Sequence, residues 1–376
     1  MKSLREIFRV DPLLLLAVLL LVGLGTVVIF SGSQPLAIAQ GRPANYFVVK
    51  HLMVVGGGGL LLLFALALDY SWWNRCARIL FLICIVMMVS VLLTGLSAHG
   101  AKRWLSIGGA GFQPSEFMKL GLIFLLATKL AEAGPNIRDF RVGFLRPLLL
   151  VGVVAGLIML QPNFSMATLL VMVSLIMMYS AGTQIKHLLL LGVAGLPLAV
   201  IMMMGASYRQ GRLQAFLNPE AHSKAAYQQL QSLISLGNGG IFGTGLGQGT
   251  QKLGYLPMPF TDTIYAILGE EMGLIGTTLV LGLFLVVLWR GLVIAREANS
   301  RFGRHVAVAL TAVLGLNAFL HIGVCTRLIP ATGQPLPLVS YGGSNLWITL
   351  FSIGVLLNIS NPNSGKEIKE APGGLL

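Results

Sequence analysis

Long apolar runs recur along almost the whole sequence, and they constrain the fold more than any other feature. Examples are the runs at 13–30, 48–68 and 278–288. They are too numerous to be signal peptides, and a helix needs about 20 apolar residues to cross the hydrocarbon core. Only 10% of the 376 residues are charged, against about 25% in soluble domains. The sequence therefore predicts an all-α polytopic membrane protein whose helices satisfy their own backbone hydrogen bonds.

The hydropathy pattern predicts ten transmembrane helices in a single transmembrane domain covering residues 1–376. We expect a large extracytoplasmic loop at about 207–262, between helices 7 and 8, and a polar cytoplasmic tail at about 360–376. The predicted spans are 11–31, 47–68, 76–97, 115–132, 147–162, 164–181, 187–206, 263–289, 305–325 and 345–359.

The distribution of cations predicts the orientation. With an even number of spans both termini lie on one side, and that side carries 16 of the 26 Lys and Arg residues. Of the other ten, four lie in the long loop, which counts little, so the comparison is 16 to 6. Both termini are therefore expected in the cytoplasm. Topology explains most of the +13 charge, so no nucleic-acid partner is expected.

The long loop carries three cations and ends at a carboxylate. Arg209 and Arg212 lie one helical turn apart, and with Lys252 they suit phosphate binding. Asp262 follows a proline-rich turn at the start of a predicted helix. It is either a helix N-cap or structural ion pair, or a reactive carboxylate. Glu270 lies about 80° round that helix from Asp262, so the two could share a cavity, and Glu271 follows it.

Two further outward-facing segments carry charges. Lys102 and Arg103 precede Trp104, a combination that suits an ordinary loop or an interface with anionic headgroups. Glu116 and Lys119 are three residues apart and therefore neighbours on one helix face. Because charges are costly in lipid, we predict an ion pair that faces the bundle interior or a cavity.

Two segments are rich in residues that interrupt helices. Residues 161–165 lie between two short spans, and a kinked outer rim is the simpler interpretation. Residues 327–344 contain many Pro and Gly residues between apolar spans and include Ser340 and Tyr341. Irregular backbone at membrane depth is tolerated only against protein or a water-filled cavity, so this segment is predicted to be a re-entrant loop. The three cysteines, Cys76, Cys84 and Cys325, lack metal-type spacing, and no metal site is expected.

Together these motifs resemble the SEDS family, the FtsW and RodA membrane glycosyltransferases that polymerise lipid II into peptidoglycan. The resemblance covers nearly the whole chain and is closer to the FtsW division branch than to the RodA elongation branch. The matching segments are 102–104, 112–116 with Lys119, 208–212, 227–234, 251–252, 256–257, 261–262, 269–273, and the specific Pro-Leu-Pro-x-Val-Ser-Tyr-Gly-Gly-Ser run at 335–344.

The resemblance implies an enzyme in the bacterial inner membrane with lipid II as donor and acceptor. It implies Asp262 as the catalytic residue. Arg209, Arg212, Lys252, Lys102, Arg103, Ser340 and Tyr341 are expected to bind substrate, and Glu116, Lys119, Glu270 and Glu271 to line or support the cavity. It also implies a single-span class B penicillin-binding transpeptidase and other division or elongation proteins as partners. No protein-bound cofactor is expected, although a divalent cation carried on the substrate diphosphate is compatible with the sequence.

Two departures from the family pattern keep other functions open. Where the family usually has Pro-Asp-x-Gly, this chain has Asn163 and Ser165, and where it has Glu-x-His-Thr-Asp, this chain has Met258 and Phe260. An inactive scaffold paralogue is one alternative. A precursor transporter (flippase) is another, because buried charges can mark a pathway across the bilayer. The predicted intramembrane charges lie towards the outer half, which favours chemistry at the outer face.

The topology can be tested with reporter fusions at Asn238 and Asn299. The cation count predicts an extracytoplasmic position for the first and a cytoplasmic position for the second. Alkaline phosphatase and green fluorescent protein fusions measure the two compartments in intact cells. Reporting from the same side at both positions would contradict the predicted orientation.

Overall fold

A computed structural model of the chain describes residues 10–98, 101–107, 110–205, 207–218, 224–257 and 259–365. Three sets of residues discussed above lie outside the described ranges. They are three cations included in the count above (Lys2, Arg5 and Arg9), Met258, and the part of the predicted tail that begins at residue 366.

Most of the described chain is helical. The helices before the long loop are α1 (Pro12–Ala39), α2 (Tyr46–Ala67), α3 (Ser71–Thr94), α4 (Pro114–Ala133), α5 (Arg146–Leu160), α6 (Phe164–Ala181) and α7 (Ile185–Met204). A 3-10 turn (Gly134–Arg138) and a π-helical turn (Phe140–Leu145) connect α4 to α5. The loop contains α8 (Ser207–Leu217) and α9 (Lys224–Gly239), and the chain continues with α10 (Ile264–Glu297), α11 (Arg301–Cys325) and α12 (Ser344–Ser360).

Seven helical segments in the described ranges are long and apolar enough to cross a membrane, so the chain is a multi-pass membrane protein. They are α1, α2, α3 up to Leu93, Phe140–Leu160, α6, α10 and α11. Of the remaining helices, α12 has only 17 residues, and α4 carries Glu116, Lys119, Lys129 and Glu132. The predicted boundaries were least accurate for α1, which continues to Ala39 instead of ending near residue 31, and for α10, which continues to Glu297 instead of residue 289.

The prediction of an all-α fold was incomplete, because a small antiparallel sheet lies between α3 and α4. Its strands are β1 (Leu96–Ala98), β2 (Ala101–Ile107) and β3 (Ala110–Phe112), in the order β1-β2-β3. Only two residues separate consecutive strands in sequence, and both strand pairs are antiparallel. Strand β2 contains the Lys102–Trp104 segment, for which the sequence suggested an ordinary loop or an interface with anionic headgroups.

Two helices occupy the centre of the bundle. Sixteen of the 20 residues of α4 are buried, and so are 14 of the 17 residues of α12. A helix buried on all sides is central, and these two pack against each other and against the helices around them. Around them, α12 also contacts α2, α4 contacts α3, and α10 contacts both α1 and α11.

The helix that follows the long loop is broken nine residues after it begins. Gly273 in α10 has φ 65° and ψ −161°, which is not helical. The break frees the carbonyls of Glu270 and Glu271, and these accept hydrogen bonds from the N–H groups of Thr244 (2.9 Å) and Gly245 (3.1 Å). In the other direction, the N–H groups of the two residues after Gly273 donate to the carbonyls of Gly240 and Ile241. The glycine-rich loop segment 240–245 thus supplies the hydrogen-bond partners that the backbone lacks at the helix break.

Alanine at Gly243 should destabilise the protein, since this residue has φ 82° and its Cβ would lie 2.2 Å from the Glu271 carbonyl oxygen. A non-glycine residue in this conformation typically costs about 1–3 kcal/mol before the clash is added. Gly237→Ala is the matched control, because a Cβ there meets nothing within 4 Å. Thermal unfolding of the purified variants measures the difference, and equal melting temperatures would contradict the role of this contact.

Candidate active site

Asp262 ends the long loop immediately before α10. It is half-buried, and its carbonyl oxygen lies 3.9 Å from the Cys325 sulfur in α11. The N-cap position of α10 is occupied by Thr263, so Asp262 is not the N-cap residue that one interpretation of the sequence made it. Its carboxylate lies at the start of α10, one residue before the N-cap.

The re-entrant segment holds the backbone next to Asp262. The Ser340 hydroxyl donates to the Thr261 carbonyl (2.8 Å) and accepts from the Leu336 N–H (2.9 Å), and the Tyr341 N–H donates to the Phe260 carbonyl (3.0 Å). Ser340 is only 4% exposed. The prediction that Ser340 binds substrate stays a prediction; in this conformation its hydroxyl donates one hydrogen bond and accepts one within the loop.

The side chains of Arg212 and Asp262 both approach Gly333. A Cβ at Gly333 would lie 3.8 Å from Asp262 Oδ2 and 3.9 Å from Arg212 Nη2, and the residue has φ 68°. Arg212 also donates from Nη1 to the Ala331 carbonyl (3.1 Å). The missing side chain at Gly333 thus leaves a small space bordered by a carboxylate and a guanidinium.

Arg209 lies close to the turn that precedes α6. Its guanidinium carbon is 5.6 Å from the centroid of the Phe164 ring, within cation–π distance. The next residue, Ser165, donates its hydroxyl to the Thr332 carbonyl (3.0 Å). The predicted rim at 161–165 therefore contacts both the arginine helix α8 and the re-entrant segment that carries Gly333.

Arg103 connects the small sheet to the same rim. It donates from Nε to the Gln161 carbonyl (3.0 Å) and from Nη2 to the Pro162 carbonyl. Lys102 lies on β2, paired with Ser97 in the adjacent strand, but its side chain lies outside the described part of the structure. Arg103 thus supports the rim through backbone contacts.

Lys252 is buried in an ion pair. Its ammonium is 2.6 Å from Glu271 Oε1 and 2.6 Å from the Ser31 hydroxyl of α1. Ser31 also donates to Glu271 (2.5 Å). Glu271 is 1% and Lys252 7% exposed. The expectation that Lys252 binds substrate phosphate stays a prediction; in this conformation its charge is paired with the Glu271 carboxylate.

Glu270 faces the loop. Its carboxylate accepts from the Thr250 N–H (2.8 Å) and hydroxyl (3.0 Å), from the Gln251 N–H, and from the Ser235 hydroxyl of α9 (3.3 Å). It is fully buried. The expectation that Glu270 and Asp262 share a cavity stays a prediction; in this conformation the loop folds against the face of α10 that carries Glu270.

The predicted ion pair between Glu116 and Lys119 is present. The two charged atoms are 2.7 Å apart, and the side chains are 4% and 3% exposed. Asn345 of α12 donates to the same carboxylate oxygen (3.1 Å), and the Gln113 N–H donates to the Ser344 hydroxyl (3.2 Å). The pair therefore lies in the contact between the two central helices.

Sequence reasoning missed a second group of cations. Arg42 and Lys50 lie over the ring of Tyr46, with the guanidinium carbon 4.4 Å and the ammonium 4.6 Å from its centroid. Burial raises the pKa of the nearby Tyr341 phenol, and the charge of Lys50 acts in the opposite direction. The spacing of four residues between Tyr46 and Lys50 could have indicated a common helix face, but Arg42 lies in the loop before α2 and only the structure places it there.

An aromatic cluster joins that group to the segment before Asp262. The Phe47 ring lies 5.2 Å from Tyr46, 5.1 Å from Phe260 and 6.1 Å from Tyr341, and Phe260 lies 5.4 Å from Tyr341. Buried His51 packs against the same Tyr341 ring at 6.0 Å. Tyr341 is therefore part of a packed cluster and supports the Phe260 backbone. In the described ranges, no group of three or more His, Cys, Asp or Glu residues has the arrangement of a metal site.

Comparison with known proteins agrees with this geometry. Residues 12–365 match the profile of the cell cycle protein family that comprises FtsW, RodA and SpoVE. The chain belongs to this family. It is 41% identical to stage V sporulation protein E of Bacillus subtilis (93% of this chain and 96% of the relative), and 36% identical to a probable peptidoglycan glycosyltransferase FtsW of Geobacter sulfurreducens (96% and 98%).

Two solved structures share the fold of this FtsW, RodA and SpoVE family member. A chain of a peptidoglycan synthase complex, described as coordinating polymerization and crosslinking, superposes with a TM-score of 0.77 at 27% identity over 94% of this chain and 98% of its own. Thermus thermophilus RodA superposes with a TM-score of 0.70 at 25% identity, covering 94% and 97%. The shared fold therefore covers almost the whole of this chain and of each solved chain.

One departure from the usual family pattern keeps its local structural role. Asn163 stands where the family usually has aspartate, and its side-chain oxygen accepts from the Met166 N–H (3.3 Å) at the start of α6. Asparagine caps a helix about as well as aspartate. Phe260 stands where the family usually has histidine, and its ring belongs to the aromatic cluster. Met258 lies outside the described residues.

Removing the partner of Glu116 should be strongly destabilising. Lys119→Met leaves a buried carboxylate unpaired, which typically costs about 3–5 kcal/mol. The double variant Glu116→Gln/Lys119→Met should recover part of this loss, because no charge is then left unpaired. Lys129→Met is the matched control, since the Lys129–Glu132 pair has the same 2.7 Å distance but is 43% and 49% exposed, and exposed pairs contribute about 0–1 kcal/mol. Similar melting temperatures for Lys119→Met and Lys129→Met would contradict the structural importance of the buried pair.

Proposed function

We propose that the chain is a peptidoglycan glycosyltransferase that polymerises lipid II at the outer face of the bacterial inner membrane. The observation that carries the proposal is the approach of the Asp262 carboxylate and the Arg212 guanidinium to the same point at Gly333. A base for a hydroxyl proton and a cation for a departing diphosphate are the two groups that glycosyl transfer from a lipid diphosphate requires. Membership of the family supports the same activity.

In the proposed reaction, a hydroxyl of the acceptor sugar attacks the anomeric carbon of the donor sugar. Asp262 takes the hydroxyl proton as the new glycosidic bond forms. The bond from the anomeric carbon to the diphosphate breaks, and the polyprenyl diphosphate leaves. Arg209 and Arg212 stabilise the charge on the leaving group. Any divalent cation would arrive on the substrate diphosphate, and no step is assigned to it.

We assign the remaining predicted residues to the support of this site. Lys252, Glu270 and Glu271 hold the loop against α1 and α10, and Ser340 and Tyr341 hold the backbone beside Asp262. Arg103 holds the rim, and Lys102 keeps its proposed role in substrate binding. The buried contacts of these side chains support a positioning function, since a group whose charge is already paired has little left for a ligand.

The proposed topology has ten spans, cytoplasmic termini and an outer loop at about 207–262. Each predicted span overlaps one of the helices α1–α7 and α10–α12, and the 16-to-6 cation comparison supports the orientation. The similarity to a chain of a synthase complex that coordinates polymerization and crosslinking supports a single-span class B transpeptidase as partner. The FtsW relatives support a role in septal synthesis.

The activity is tested by replacing Asp262 with asparagine. Asp262→Asn keeps the shape of the side chain but removes the base, so lipid II polymerisation by the purified protein should fall about 10²–10⁴-fold. Asp139→Asn is the matched control, because Asp139 is exposed and its side chain only caps a short turn. Gel analysis of the glycan and melting temperatures are measured together.

Three outcomes separate the alternatives. Near-wild-type polymer from a folded Asp262→Asn protein would remove the catalytic assignment. A wild type that makes no polymer, even with its transpeptidase, would favour the scaffold interpretation. Translocation of lipid II in sealed vesicles without polymer would favour the transporter.

A further inference from the structure

The cation group at the start of α2 has no neutralising partner in the described chain. None of the ion pairs between described residues includes Arg42 or Lys50. Both nevertheless lie within 5 Å of the centroid of one Tyr46 ring. Two like charges near the same ring repel each other, and a cation–π contact returns only about 0.5–1 kcal/mol at an exposed site. An anion bound between them would remove that repulsion.

The backbone at this position adds to the positive potential. Tyr46 is the first residue of α2, and the N-cap residue Asn45 makes no side-chain capping hydrogen bond. The Tyr46 N–H donates to the Pro43 carbonyl (2.9 Å), whereas the N–H groups of the next two residues lack intrahelical acceptors, and such groups favour anions, phosphate above all. Two cations, a phenol hydroxyl and a helix N-terminus therefore lie together at the outer end of α2.

The surroundings of this group suit an anion that carries a lipid tail. From Lys50 towards the middle of the bilayer, α2 exposes apolar side chains, among them Leu52 (52% exposed), Met53 (69%) and Leu60 (71%). A phosphate at Tyr46 could therefore have its hydrocarbon chain on this face. Free phosphate would not use that surface.

The group is linked to Asp262 by a chain of aromatic contacts. Tyr46 packs on Phe47, Phe47 packs on Phe260, and Phe260 lies two residues before Asp262. Arg209 contacts Phe164, and Arg212 contacts Ala331 and the space at Gly333. Two separate cationic groups thus border the segment that carries the carboxylate.

We propose that Arg42, Tyr46 and Lys50 form a second binding site for a lipid-linked diphosphate. The inference rests on the proposed function, because joining two lipid-linked sugars requires two diphosphates to be held at the same time, one on each substrate. Arg209 and Arg212 hold the diphosphate that leaves. Arg42, Tyr46 and Lys50 hold the diphosphate that stays attached to the other substrate.

The test counts bound diphosphates in a protein that cannot turn over. Native mass spectrometry of Asp262→Asn in zwitterionic nanodiscs, with a polyprenyl diphosphate as the probe, should detect two bound molecules. Asp262→Asn/Arg42→Gln/Lys50→Gln should bind one. The matched control Asp262→Asn/Arg138→Gln/Arg141→Gln removes two exposed cations elsewhere and should still bind two. Two molecules on the Arg42/Lys50 variant would overturn the proposal.

A single substitution guards against misfolding of the combined variant. Lys50→Gln in the Asp262→Asn background keeps Arg42 and the Tyr46 ring, and it should weaken the second binding step about tenfold, the factor that corresponds to about 1.4 kcal/mol. An unchanged second step in a protein with the melting temperature of its parent would also overturn the proposal.

Two further arms identify the source of the phosphate and separate this proposal from the proposed function. Phosphatidylglycerol at the same concentration should not displace the second diphosphate, and displacement would show a general headgroup site and overturn the assignment.

With Asp262 intact, Arg42→Gln/Lys50→Gln should raise KM for lipid II about tenfold while kcat is retained. Because the binding stoichiometry is measured without turnover, a wild type that makes no polymer would reject the proposed function and leave the second site testable.

Discussion

The break in α10 at Gly273 is the constraint on which the outer half of the structure depends. Backbone groups inside a membrane must find partners within the protein, and the break frees carbonyls at Glu270 and Glu271. The glycine-rich segment at 239–245 can approach closely enough to pair with them because Gly243 has no side chain. A Cβ there would collide with the Glu271 carbonyl. The break therefore requires the loop to fold against the helix.

The two glutamates beside the break extend the same attachment through their side chains. Glu270 accepts hydrogen bonds from the loop backbone at Thr250 and Gln251, and Glu271 pairs with Lys252 and with Ser31 of α1. The polypeptide that leads to Asp262 is thus fixed at both of its ends, by Lys252 before it and by α10 after it. The proposed role of Asp262 as a general base requires such a fixed position.

The re-entrant segment completes the site from the opposite end of the sequence. Ser340 and Tyr341 bond to the backbone on the N-terminal side of Asp262, and Gly333 brings Arg212 to the same space. The chain carries 26 basic and 13 acidic residues, yet the buried lysines at 119 and 252 are each paired with a glutamate. The cations proposed to bind anions are Lys102, Arg209 and Arg212, with Arg42 and Lys50 beside the aromatic cluster.

The sequence by itself determined the class of fold, because apolar runs, helix periodicity and the cation asymmetry are local properties that the bilayer constrains directly. It also determined the Glu116–Lys119 pair, since a spacing of three residues brings two side chains together in any helix. It could not locate Lys252, Glu270 or Ser340, whose partners include residues 19 to 221 positions away in sequence. Only the tertiary structure placed Arg42 and Lys50 beside the Asp262 segment, because that proximity depends on how α2 packs against the re-entrant loop, and packing between distant segments leaves no pattern within either of them.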